Sequence, residues 1–396
     1  MTPSQPSAPT PAPSPPSVVP AAWTHTPSGA VRPRGLRLPL DGRPGPHDAI
    51  TDVPGLEVGY ATLIEGDDVR TGVTAIHPRG RDAPGDPCAA GVAVLNGNGE
   101  MTGAAWVDES GTCAGPITIT NSHAVGVAHR ATIEWTAERF PALAERWLLP
   151  VAAETWDGRV NDINGRHVTP EVVRAALDGA RGGRLEAGSV GGGTGMVCYG
   201  FKGGSGSASR VVTTGDREHV VGVFVQANFG ASPELVVAGV PVGRHLQDVA
   251  ADRDPDGPPP GAGSVIVVVA TDAPLLPGQC RALARRAALG LARTGTSGSH
   301  YSGDLFLACS TANPGAFGFD PVTSGTPELG RLDFLPWGAV DPFYEAVVQA
   351  TEEATLDALI ANRDLVGREG RLWPALPHDR LVALLAARGV PAGAAR

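Results

Sequence analysis

Lysine is all but missing from this chain: Lys202 is the only one, so arginine carries nearly all of the positive charge. Charge of either sign is sparse, at 18% of residues, and the formal net charge is −10. Phosphate binding needs clustered Lys and Arg, so this composition argues against a nucleic-acid partner. Long apolar runs are lacking too. None reaches the ~18 residues that span a bilayer, so no membrane segment is expected. No basic stretch followed by an apolar one is read as a secretory signal, and a cytoplasmic location is expected. Five cysteines (Cys88, Cys113, Cys198, Cys280, Cys309) include no C-x-x-C. Neither a zinc ribbon nor a disulfide framework is indicated, which leaves reduced, buried thiols.

Several functional signatures are missing as well. Gly191-Gly192-Gly193-Thr194-Gly195 lacks Rossmann spacing and has no Gly-Lys-Ser/Thr, so close backbone packing is the better reading. No His-Glu-x-x-His occurs, and His123 and His129 do not share a helix face, so no metal site is expected. Gly-x-Ser-x-Gly in a strand-to-helix elbow is absent.

What the chain has in excess is Gly 53 and Pro 37, a sign of tight turns and close backbone contacts. Residues 1–35 are rich in Pro, Ser and Ala and are expected to form a disordered tail. Apolar and β-branched runs near 91–95, 117–120, 148–155, 219–228, 265–270 and 305–310 predict strands. Helical spacing and N-terminal prolines predict helices over 123–138, 170–180, 278–293, 341–362 and 378–388, with Glu352 and Glu353 on a wet face. Gly204-Ser205-Gly206-Ser207 reads as a flexible loop, and Lys202 beside it as a surface residue. Strands and helices mix without regular βαβ alternation, so a layered α+β fold is expected.

One stretch stands apart. A polar, proline-rich segment from Asp252 to Pro260 runs through Gly263-Ser264 into the buried strand Val265-Ile266-Val267-Val268-Val269. A serine at such a junction could be freed by a cut in its own backbone. It would then carry a hydroxyl and an α-amine on one residue. Taken alone, the stretch reads more simply as a loop entering a strand.

A series of collinear motifs over about 37–370 changes that reading. They include Asn96-Gly97-Asn98-Gly99-Glu100, Thr120-Asn121-Ser122-His123, Glu154-Thr155-Trp156-Asp157-Gly158 and Phe201-Lys202-Gly203-Gly204. Further along come Val225-Gln226-Ala227-Asn228, Gly263-Ser264, Ala270-Thr271-Asp272 and Ser302-Gly303-Asp304-Leu305-Phe306. Together they resemble the DmpA-type aminopeptidases, the L-aminopeptidase/D-esterase and β-aminopeptidyl hydrolases.

The resemblance implies one four-layer αββα domain, layered like N-terminal-nucleophile hydrolases but connected differently. It implies a self-made cut between Gly263 and Ser264, leaving fragments 1–263 and 264–396. Ser264 would be the nucleophile, Ser302 and Asp304 the accessory serine and acid, and Asn228 an oxyanion donor. Trp156 stands where some relatives carry tyrosine and is expected at the substrate site. Glu154 is the candidate for holding a substrate ammonium. The expected substrate is a small peptide, amino-acid amide or ester, with no cofactor. The family also suggests a homo-oligomer, a tetramer of processed protomers. Two other readings are an acyltransferase of similar layering and a non-catalytic binding protein that keeps the fold.

Overall fold

Alternate residues of one strand divide the molecule into layers. The computed structural model describes residues 19–251, 259, 261–318 and 329–393. Its principal strands are Glu57–Glu65 (β1), Val69–His77 (β2), Cys88–Asn96 (β3), Thr112–Cys113 (β4) and Ile117–Asn121 (β5). Val151–Thr155 (β6), Gly204–Thr214 (β7), Arg217–Gly230 (β8), Gly261–Thr271 (β9) and Ser302–Ser310 (β10) follow. The longer helices are Val125–Arg139 (α1), Pro170–Asp178 (α2), Pro277–Arg293 (α3), Asp341–Ile360 (α4) and His378–Ala387 (α5).

Of the two larger sheets, one has the order β1-β2-β5-β6 and the other β4-β3-β10-β9-β8-β7. In β9, Val265, Val267 and Val269 pack with Leu283 and Leu291 of α3 and Val347 of α4. Their neighbours Ile266 and Val268 face the other way, onto Ile76, Ile119 and Val151 of the smaller sheet. The outer face of that sheet, through Val73 and Ala152, meets Ala128 and Trp135 of α1 and Leu177 of α2. These are the four layers expected, helix–sheet–sheet–helix. A strand buried on both faces cannot alternate apolar with polar, so β9 reads as one unbroken apolar run. Each such side chain contributes about 1.5–3 kcal/mol by leaving water.

The expected helices form within one or two residues of their predicted ends. Asn121 helps to start α1, its Oδ1 accepting from the N–H groups of His123 (3.1 Å) and Ala124 (3.0 Å). All five cysteines are buried and free. Among the described residues, no helix is long and apolar enough to cross a membrane.

Three expectations are corrected. Of the tail expected over 1–35, residues 1–18 lie outside the described residues, but residues 19–35 are anchored to the fold by buried side chains. Trp23 is buried and its indole donates to the Gly45 carbonyl at 2.8 Å, while Arg32 meets Asp357 of α4 at 2.9 Å. Glu353, assigned to a wet face, is buried between Arg34 (2.8 Å) and Arg210 (2.6 Å). Gly204-Ser205-Gly206-Ser207 is the buried start of β7, not a loop. Its small residues let α4 cross closely: a Cβ on Gly206 would lie 2.0 Å from the Ala354 carbonyl oxygen. Residues 252–258 and 260 of the proline-rich segment lie outside the described residues.

Candidate active site

Strand register brings most of the singled-out residues to one end of the space between the sheets. Ser264 of β9 lies opposite Asn228 of antiparallel β8 and Gly303 of parallel β10. It shares the face of Ile266 and Val268, so its hydroxyl looks toward the smaller sheet. There β6 ends and delivers the Trp156 N–H, which donates to Ser264 Oγ at 3.0 Å. Asn228 Nδ2 is 3.4 Å from the same oxygen and donates to the Trp156 carbonyl at 2.8 Å. Its Oδ1 accepts from the Val197 N–H at 2.9 Å, which fixes the orientation of the amide. Two N–H donors thus converge on one hydroxyl. Trp156, expected at the substrate site, enters this arrangement through its backbone N–H. Gly263 is sterically required, because a Cβ there would lie 1.8 Å from the Asn228 carbonyl oxygen.

Ser302 stands level with Gly263 in the parallel pair, and so beside the peptide bond that precedes Ser264. Its hydroxyl donates to Asp304 Oδ1 at 2.7 Å. Asn96 Nδ2 donates to Asp304 Oδ2 at 3.0 Å and to the Ser299 carbonyl at 3.0 Å. Burial pushes the Asp304 carboxyl up to about 6, while the bonds from Ser302 and Asn96 pull it back. The site therefore has two groups: Ser264 with Trp156 and Asn228, and Ser302 with Asp304 and Asn96. The sequence places Asn96 only within a motif, with no role of its own. The signal for it was the Asn-Gly-Asn-Gly stretch itself, whose amides now clamp β10, Asn98 donating to the Tyr301 carbonyl at 3.0 Å.

A cleft of about 560 Å³ opens onto Ser264 and is walled by Gly99, Glu100, Ser122, Glu154, Trp156 and Tyr301, among others. Glu154 is buried in its wall. It accepts from the Glu100 N–H at 2.9 Å and from the Ser122 hydroxyl. Burial raises its pKa, and these two bonds oppose that. A carboxylate so held is poised to receive a cation from the cleft. Tyr301, 57% exposed at the mouth, and Ser122 were not anticipated.

Lys202 corrects the sequence reading most sharply: it is fully buried. Its ammonium donates to the carbonyls of Met196 (2.7 Å) and Gly203 (2.8 Å). Burial pulls its pKa down to about 7, and the nearby Asp157 pulls it back up. Asp157 is in turn raised to about 7 by its own burial. Lys202 ends a short hairpin that pairs Val197–Cys198 with Phe201–Lys202, and glycines admit it to the interior, because a Cβ on Gly203 would lie 2.5 Å from the Ala227 carbonyl oxygen. Gly192, in the triple-glycine turn, is as tightly placed, 2.3 Å from Gln226 Oε1 by the same measure. That turn is closely packed, as expected, a Cβ on Gly193 lying 2.3 Å from the Ser205 backbone nitrogen. His123 and His129 do not converge; His123 Nδ1 meets Asn164 at 2.9 Å. Among the described residues, no group of His, Cys, Asp and Glu is arranged to hold a metal ion.

The family model for peptidase family S58 matches residues 48–373. The chain is 46% identical over 374 residues to the beta-peptidyl aminopeptidase BapA of Sphingosinicella microcystinivorans, covering 89% of this chain and 91% of that protein. Among solved structures it resembles the L-aminopeptidase D-Ala-esterase/amidase of Ochrobactrum anthropi, described as a prototype of the serine aminopeptidases and a variant of the Ntn-hydrolase fold. That likeness has a TM-score of 0.84 at 43% identity, covering 90% of this chain and 99% of the other. A beta-aminopeptidase of Burkholderia sp. gives a TM-score of 0.84 at 42% identity, covering 91% of this chain and 99% of the other.

Proposed function

Since the chain belongs to peptidase family S58, we propose that it is a self-processing serine aminopeptidase that releases N-terminal residues from short peptides, amino-acid amides or esters. The observation that carries this reading is the convergence of Trp156 N–H and Asn228 Nδ2 on Ser264 Oγ, directly after a glycine that no larger residue can replace. The chain first cuts itself between Gly263 and Ser264. The freed α-amine, with an ordinary pKa of about 7.7–8.0, is partly neutral near pH 7 and takes the Ser264 hydroxyl proton. Ser264 Oγ then adds to the substrate carbonyl. The oxygen that becomes negative is stabilised by N–H donors of Asn228 and Trp156, each such donor being worth about 3–4 kcal/mol. The amine or alcohol leaves with the proton, and water cleaves the acyl-serine to free the enzyme. Ser302 and Asp304, beside the α-amine, orient it.

Glu154 gives the reaction its preference for a free amine. A partly desolvated carboxylate attracts an ammonium more strongly than an exposed one does, because less water screens it. The exposed apolar face formed by Trp106, Trp147 (81% exposed) and Leu149 supports a further reading, that the processed protomers assemble into a homo-oligomer.

The deciding experiment pairs a denaturing gel and intact mass with turnover of an amino-acid amide and its N-acetyl counterpart. Two fragments with a new N-terminus at Ser264 are expected, and the blocked amide should react at least ~10⁴-fold more slowly. Ser264→Ala should stay whole and inactive. An uncut wild-type chain with full activity would overturn the self-processing reading, and equal turnover of the blocked amide would overturn the aminopeptidase reading.

A further inference from the structure

The only lysine in the chain lies behind the oxyanion side of the cleft, joined to it by an unbroken row of hydrogen bonds. Lys202 Nζ donates to the Met196 carbonyl at 2.7 Å. The N–H at the other end of that same peptide unit, on Val197, donates to Asn228 Oδ1 at 2.9 Å. The nitrogen at the other end of the Asn228 amide faces Ser264 Oγ at 3.4 Å and the Trp156 carbonyl at 2.8 Å. Two conjugated amides therefore stand in series between an ammonium and the nucleophile. Density drawn toward an amide oxygen leaves its N–H a better donor, and bonds in such a row strengthen one another.

The row also sets orientation. An Asn228 amide turned end for end would aim its oxygen at the developing negative charge. The Val197 N–H opposes that turn, and Lys202 holds the peptide that carries it. A hairpin of this size could close around an apolar side chain, with no ammonium to bury. Burying an ammonium is costly unless it is well partnered. Here two backbone carbonyls accept from it, and the charge of Asp157, which follows Trp156 in the chain, favours the ammonium from further off.

We propose that Lys202 is a positioning residue for the hydrolytic reaction, orienting and polarising the Asn228 amide through the Met196–Val197 peptide. This rests on the aminopeptidase reading above. A wild-type protein that fails to hydrolyse its substrate defeats that reading; the tests below compare variants with an active wild type.

The test uses the full chain, with activity expressed per processed molecule counted by intact mass. Lys202→Met should lower kcat by at least about tenfold, a fraction of the 10²–10³ that a direct oxyanion donor supplies, and leave KM within about twofold. Lys202→Gln, which keeps one donor for the Met196 carbonyl, should fall between. In an Asn228→Ala background, Lys202→Met should cost nothing further, because the residue it acts through is gone. Unchanged kcat in Lys202→Met, or the same loss in both backgrounds, overturns the proposal. Should these variants fail to fold, the wild type still decides. Lysine labelled with ¹⁵N at Nζ gives a single side-chain nitrogen resonance, since the chain has one lysine. A peptide boronate that forms a tetrahedral adduct on Ser264 should move that resonance, and a free amino-acid product should not. A resonance unmoved by a complete adduct overturns the proposal.

Discussion

Asp304 shows how one carboxyl can be tuned by two neighbours at once. Its carboxyl titrates near 6 because burial disfavours the charge, and the donors Ser302 and Asn96 favour it. As pH falls through that value the carboxylate is lost, so kcat should fall on the acid side with a limb near pH 6. Asn96→Leu removes one donor to the ionised form, so the same limb should move to higher pH. Asp304→Asn should lower kcat at least about 100-fold and abolish the limb. A pH–kcat profile for the three proteins checks this. A limb that stays in place in Asn96→Leu would remove Asn96 from the mechanism. The sequence offered Ser264, Ser302, Asp304, Asn228 and Glu154 as candidates because each falls in one of the collinear motifs that carry the family resemblance. It could not offer Asn96 as a partner of Asp304, since only the pairing of β3 with β10 joins them. Nor could it reveal that Trp156 contributes its backbone, which every residue carries.

At the scale of elements, what could be read depended on whether a segment's environment was local. The strand β9 and the helices α3 and α4 announce themselves by apolar runs and spacing, and they formed as expected. Segments whose partners are distant in sequence did not. The start of β7 is Gly and Ser because α4 lies against it, and Lys202 is inside because glycines open the way. The segment after residue 18 was judged by its prolines, yet it is fastened by arginines to acids more than three hundred positions away. That fastening has a measurable weight. Arg32→Ala leaves the Asp357 carboxylate buried without its guanidinium, a loss of about 3–5 kcal/mol. Urea unfolding of Ser264→Ala with and without this change, both as single chains, should report it. A difference under 1 kcal/mol would mean that the ion pair is not what holds the segment.

For the whole molecule, the position of the proposed cut matters more than the cut itself. Strands β9 and β10 lie side by side in the middle of the larger sheet, with β3 on one flank and β8 on the other. A break between Gly263 and Ser264 would therefore assign the centre of a sheet to one fragment and both of its neighbours to the other. Neither fragment could leave without undoing the hydrogen bonds and the apolar layers on both faces. Folding would have to come first, because the proposed cut would depend on a geometry that only the assembled sheet provides. Once made, it turns an intramolecular search into a meeting of two separate chains, each with exposed strand edges. The uncut Ser264→Ala protein should regain its far-ultraviolet signal after heating and cooling, and the processed protein should precipitate or stay unfolded. Equal recovery by both would contradict this account. On this account such a protein would carry a record of its own history: the intact chain could be remade from any disordered state, while the working form, once lost, would not be recovered.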